Sequence, residues 1–158
     1  MQVQTVKMMQ SKWKMFWYFL LHLPGAFFFG LKIVSISEEG SQVRIPYRWS
    51  TKNPFKSIYF AALTAAAELS TGIIALTSLD PGQISMLVTR VEGQFLKKAK
   101  GPVLFECNQV QDMRKAVTTA LEQDAGAKIL MVSTGRNQDG EVVAKFSFEW
   151  SLRRKQTH

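Results

Sequence analysis

From Ser57 to Leu79 the chain carries one charged residue, Glu68, in a run of Ala, Leu, Ile and small hydroxyls. A segment apolar on all sides has no polar face to show to water, so it predicts a helix enclosed by protein or lipid. Its length suffices to span a bilayer, but Gly72, the hydroxyls and a central carboxylate favour a helix wrapped by a sheet. Elsewhere the period is two. Val142 to Leu152 sets Ala144, Phe146, Phe148, Trp150 and Leu152 against Lys145, Ser147, Glu149 and Ser151, the alternation of a half-buried strand. Leu31–Ser37 and Gln42–Tyr47 read as a hairpin turned by Glu38, Glu39 and Gly40, and Ile129–Thr134 pairs with the last strand around Asn137–Gly140. Asp80-Pro81-Gly82 stops the apolar helix; Ile84–Leu96 and Val103–Val110 are strands joined by the basic turn Lys97–Pro102. Gln111–Asp124 is a helix with Met113, Val117, Ala120 and Leu121 on one face, Asp112 near its start and Gly126 as its cap.

The first 23 residues predict an amphipathic helix over Gln4–Leu21, followed by a loop through Pro24 and Gly25 and a single domain over 24–158. Met8, Met9, Lys12, Trp13, Phe16, Trp17 and Leu20 recur near helical spacing, with Gln10, Ser11 and Lys14 toward the other side. Pro24 ends the apolar run too early for a membrane span, and no A-x-A cleavage site follows it. Two roles fit this helix: a cover for the sheet edge or a dimer seam, or an interfacial anchor using Trp13, Trp17 and the lysines. The whole order is helix, two strands, buried helix, two strands, helix, two strands. An antiparallel sheet with one face packed on a central helix explains the alternating strands and the all-apolar helix together. The expected class is α+β.

Composition narrows the chemistry. At 158 residues, 46% hydrophobic and 20% charged, the chain suits one globular domain. A lone cysteine, Cys107, excludes an internal disulfide and suits a reducing, cytoplasmic setting. Glu106 precedes it and no nearby His can act as base, so it reads as a packed strand residue. The net charge of +8 collects at the ends, in Lys7, Lys12 and Lys14 and in Arg153, Arg154 and Lys155, without any nucleic-acid module signature. Nucleic acid is therefore not an expected partner. His22 and His158 have no metal-ligand spacing, and there is no phosphate loop, dinucleotide fingerprint or nucleophile elbow. Neither a metal nor another cofactor is expected.

One stretch is specific. Asn53 precedes Glu68 by fifteen positions across the start of the small-residue helix, within the wording RW-x-x-KNPF-x-SIYFAA-x-x-x-x-x-E-x-x-x-G. This resembles the hotdog-fold acyl-CoA thioesterases of the phenylacetyl-CoA type, and more closely the uncharacterised hotdog family known as domain of unknown function 4442. The resemblance implies a hotdog fold over roughly Leu31–Trp150, a sheet wrapped around the central helix, with the N-terminal helix as an addition. It also implies an edge-to-edge homodimer or homotetramer acting on an acyl-CoA or other acyl thioester. Glu68 would be the general base or the nucleophile, with a pKa raised by burial. Asn53 would orient the attacking water or the thioester oxygen. Phe55, Tyr59 and Leu63 would line the acyl chain, and Lys52, Lys56 or Lys97–Lys100 would meet the CoA phosphates.

Each residue also has a structural reading. Glu68 would pair with Arg44, Arg48 or Arg90, and Asn53 would cap the helix with Pro54 in its first turn. The chain departs from the phenylacetyl type as well. Where that type has Gly three residues after the Asn and then His-Gly-Gly, this chain has Lys56 and Tyr59-Phe60-Ala61. Losing an oxyanion donor costs on the order of a hundredfold in rate or more. The alternative function is therefore a non-catalytic acyl- or lipid-binding module whose N-terminal helix makes peripheral contact with membrane.

Overall fold

The computed structural model describes residues 6, 9, 11–80 and 82–155. In chain order the elements are helices α1 (Lys12–His22) and α2 (Pro24–Phe29), strands β1 (Lys32–Ile36) and β2 (Ser41–Ile45), and the long helix α3 (Phe60–Ser78). Strands β3 (Ile84–Phe95) and β4 (Val103–Cys107), helix α4 (Val110–Glu122) and strands β5 (Ala127–Arg136) and β6 (Val142–Arg154) follow. The six strands form one sheet in the order β1-β2-β4-β5-β6-β3, antiparallel throughout. The chain crosses over the sheet through α3, which leaves β3 at the edge beside β6.

Helix α3 lies on the inner face against β2, β4, β5 and β6. Its Ala62, Ala66, Ala67 and Ala75 are fully buried, and their small side chains let the helix approach the sheet closely. The buried hydroxyls on α3 are satisfied locally or across the layer. Ser70 Oγ donates to Ala67 O and pairs with Ser133 Oγ at 2.7 Å; Thr77 Oγ1 donates to Ile73 O at 2.8 Å. Trp150 Nε1 on β6 donates to Thr71 Oγ1 at 3.1 Å. Such bonds matter because a buried polar group left unpaired costs about 1–3 kcal/mol. The inward residues of β6, from Ala144 to Leu152, are all buried, as their alternation predicts.

Three local expectations change. Pro24–Phe29 is a short helix and not a loop: Pro24 sits in the first turn, where its missing N–H is not needed, and Gly30 closes the helix at φ +65°. Gly126 does not cap α4, which ends at Gln123; it turns the chain into β5 at φ +76°. The third change concerns α1. Its domain-facing side carries Met15 and Phe19, joined by Met9, while Trp13, Phe16, Trp17 and Leu20 point outward and are exposed. The residues read as recurring at helical spacing therefore split, Met9 buried and Trp13, Phe16, Trp17 and Leu20 exposed, because this helix is apolar on two faces. The parts of this segment before Val6, and Lys7, Met8 and Gln10 within it, lie outside the described residues.

Candidate active site

A groove of about 600 Å³ opens at the N-terminal end of α3. One wall comes from the loop before the helix and from its first turn: Asn53, Phe55, Tyr59, Phe60 and Leu63. The other is the end of β3 and the turn after it, Phe95, Leu96, Lys97 and Ala99. The loop is pinned by backbone bonds from Tyr59 N to Thr51 O (2.7 Å) and from Ile58 N to Ala99 O (2.8 Å), so both walls hold one another. Phe60 meets Phe95 edge-on across the groove, with ring centroids 6.5 Å apart.

Asn53 is not the cap of α3. The capping position is Tyr59, which supplies no side-chain bond, and Pro54 lies in the loop rather than in the first helical turn. The Asn53 Oδ1 instead accepts from Phe55 N (3.0 Å), Ser57 N (3.2 Å) and Ser57 Oγ (3.2 Å), an Asx-type turn that shapes its own loop. Its Nδ2 lies 3.4 Å from Ile58 O, a long bond that leaves donor capacity at the groove wall. Lys56 sits inside this turn at φ +58°, the left-handed region that a side chain adopts at a cost of about 1–2 kcal/mol. The backbone shape that a glycine would supply is kept here by a lysine, with Lys56 N bonded to Asn53 O. Lys52 and Lys56 are exposed beside the groove and are not part of its lining.

Because Tyr59 offers no side-chain cap, the first-turn N–H groups of Phe60 and Ala61 have no acceptor within the helix. They lie at the positive end of a 19-residue helix, whose first residue, Phe60, lines the groove. Glu68 lies two turns further on, about 12 Å along the axis at 1.5 Å per residue. It is not part of the groove lining, so within one chain Asn53 and Glu68 do not share a cavity. Its carboxylate leans over Gly72: a Cβ at that position would meet Glu68 Oε1 at 3.2 Å and the Trp150 ring at 3.7 Å. Trp150 belongs to β6, the neighbour of edge strand β3. Burial alone pushes the Glu68 carboxyl above its usual range. Among the described residues no ion pair involves it: Arg90 pairs with Glu92, and Arg48 donates to Ser50 and to the carbonyls of Phe27 and Phe28. The structural pairing expected for Glu68 is therefore absent there.

Two features of the site escape the sequence reading. The apolar part of the second wall, Phe95 and Leu96, is separated from Asn53 by the whole of α3 and most of β3, and only the Lys97–Lys100 turn that follows it is a candidate from the sequence; its signal is an apolar Phe-Leu pair directly before that basic turn. The roles of Phe60 and Trp150 as neighbours of the candidate groups also depend on strand pairing. Cys107 is buried, which pushes its thiol up to about 11 and leaves it unreactive. Among the described residues no three His, Cys, Asp or Glu come together as metal ligands would.

An antiparallel sheet folded over one buried helix, entered through a loop and edge strand at the helix N-terminus, defines a hotdog fold. The chain belongs to the family described as domain of unknown function (DUF4442), whose model matches residues 12–152. It is similar in structure to PA5026 of Pseudomonas aeruginosa, described as a protein of unknown function and "Probable Thioesterase", with a TM-score of 0.79 and 24% identity over 94% of this chain and 99% of that one. It is also similar to thioesterase HI1161 of Haemophilus influenzae, with a TM-score of 0.69 and 12% identity over 94% of each chain. A mutant of thioesterase PA1618 of Pseudomonas aeruginosa gives a TM-score of 0.67 and 13% identity over 82% of this chain and 86% of that one. No curated protein matches the sequence.

Proposed function

We propose that the protein hydrolyses an acyl thioester, such as an acyl-CoA, in a site shared by two copies of the chain. Glu68 takes a proton from water, the hydroxide adds to the thioester carbonyl, and the C–S bond breaks to give a carboxylic acid and a thiol that takes up the proton. The Asn53 amide orients the water or the carbonyl oxygen from the groove wall, with the Phe60 and Ala61 amides as oxyanion donors. The acyl chain lies along Phe55, Tyr59 and Leu63, and Lys52 and Lys56 meet the phosphates of the carrier as point charges. Because Asn53 and Glu68 line no common cavity in one chain, this reading requires the homodimer, or a tetramer built from it. A free, buried Cys107 supports a reducing, cytoplasmic setting.

The observation that carries the reading is a pair of features on one buried helix. An apolar groove meets its uncapped N-terminus, and two turns on stands a carboxylate with a raised pKa and, among the described residues, no counter-charge. A base working near neutrality needs that raised value. Thiol release from a panel of acyl-CoAs by wild type and Glu68→Gln tests it; a loss of a hundredfold or more is expected. Equal rates would remove Glu68 from the mechanism. No thiol release by wild type, with acyl-CoA or fatty acid found on the purified protein by native mass spectrometry, would instead establish the acyl-binding module.

A further inference from the structure

Helix α1 carries two apolar stripes. Met15 and Phe19 close onto the domain, while Trp13, Phe16, Trp17 and Leu20, spaced i, i+3, i+4 and i+7, stand uncovered. Trp13 is 71% exposed although a tryptophan here could have packed on the sheet. The outward rings form one connected surface: Trp13 contacts Phe16 and Trp17, and Phe16 meets Phe27 of α2 edge-on at 5.3 Å. Phe28 continues it, and Arg48 donates to the Phe27 and Phe28 carbonyls, which fixes α2 to the loop carrying Trp49, 84% exposed.

The charge along the segments that carry this surface has one sign. No Asp or Glu occurs before Glu38, and none occurs between Gly40 and Ala67, whereas Lys14, Lys32, Arg48 and Lys52 are exposed along these segments. Tryptophans flanked by lysines on an exposed helical stripe match the chemistry of a bilayer interface. There the rings sit at headgroup depth and the cations meet anionic lipid, each worth roughly a fivefold gain in partitioning near the surface. A second copy of the chain fits less well, because a two-fold seam would set this cation-only patch against itself.

We propose that α1 and α2 form a docking face for an anionic lipid surface. The face lies close to the groove: Arg48, at the end of α2, is bonded through Thr51 to Tyr59 on the groove wall by two backbone hydrogen bonds of 3.0 and 2.7 Å. A docked protein therefore holds its acyl groove within one short loop of the lipid. This inference does not rest on Glu68 or on hydrolysis, and its test reads binding only.

Flotation with vesicles of phosphatidylcholine alone, and with an equal share of phosphatidylglycerol, measures the contact. Binding to the anionic vesicles only is expected, weakening with salt, together with quenching of tryptophan emission by brominated acyl chains. Trp13→Gln with Trp17→Gln should lower partitioning at least tenfold, and Lys14→Glu, at an exposed position, by several-fold. Absence of binding to anionic vesicles would overturn the proposal, as would binding that survives the double Trp substitution unchanged. So would a halving of the mass of the double variant by light scattering, which would assign the face to a seam between copies. Should the double variant melt early, bromolipid quenching of the wild type and the Lys14→Glu result decide alone.

Discussion

Glu68 is a carboxylate beside Gly72 on a buried helix with, among the described residues, no counter-charge. Desolvation disfavours its charged form, so its folded pKa stands above the unfolded value. The folded state therefore holds this proton more tightly than the unfolded chain. The site favours folding at low pH, and that contribution is lost as pH rises from the unfolded pKa through the folded one. Glu68→Gln keeps the shape without the charge. Its melting temperature relative to wild type is expected to rise between pH 4 and pH 8, with the variant the more stable of the two at pH 8. A difference that stays flat, or a variant that melts lower at pH 8, would show that Glu68 gains a partner in solution. Such stabilisation with loss of turnover is the usual trade at a functional site. At this scale the sequence names the residues better than it places them. One charge in an apolar run singles out Glu68, and the family resemblance carried by its spacing from Glu68 singles out Asn53. The direction of the Asn53 amide depends on the Ser57 hydroxyl and the left-handed Lys56, and neither leaves a periodic trace.

Elements were legible where one face is buried and the other wet. Strand β6 and helix α4 each present a single pattern, and the structure follows it. Helix α3 was legible for the opposite reason, since a segment apolar all round must be enclosed. The N-terminal region fails both tests. Period alone shows that a face of α1 is apolar but not which neighbour it meets, and PGAFFF is too short to show a period at all. What makes α2 a helix is tertiary: Arg48 gathers the Phe27 and Phe28 carbonyls at its end, and Gly30 leaves room for the guanidinium. A Cβ on Gly30 would fall 2.4 Å from Arg48 Cζ, at a φ that side chains rarely adopt. Gly30→Ala should therefore destabilise the protein by about 1–3 kcal/mol, the left-handed penalty plus the displaced arginine. Urea unfolding measures this. A change below about 0.5 kcal/mol, the range of ordinary surface substitutions, would mean that α2 is not held in this way.

At the scale of the whole molecule, β3 is the open end of the fold. Its 12 residues extend about 40 Å at the usual rise, and among the described residues only β6 pairs with it. Val91 and Phe95 stand opposite the inward residues Phe148 and Ala144, yet each is half exposed. A long unpaired edge with apolar inward positions is an aggregation hazard unless another strand covers it. A second β3 related by a two-fold axis would cover it, and would bring new walls to the side of α3 on which Glu68 stands. The expected mass in solution is thus at least twice 17.9 kDa. Val91→Lys tests the link between assembly and chemistry. Near the middle of the edge, the substitution sets two lysines close together across the axis, while in a single chain it alters only a half-exposed side chain. Light scattering should show the variant as a monomer, with a melt close to that of an unassembled domain, and thiol release should fall with the fraction of dimer. A monomeric variant that hydrolyses acyl-CoA at the wild-type rate would confine the site to one chain. The separation between Asn53 and Glu68 would then have to close by movement of the loop that carries Asn53.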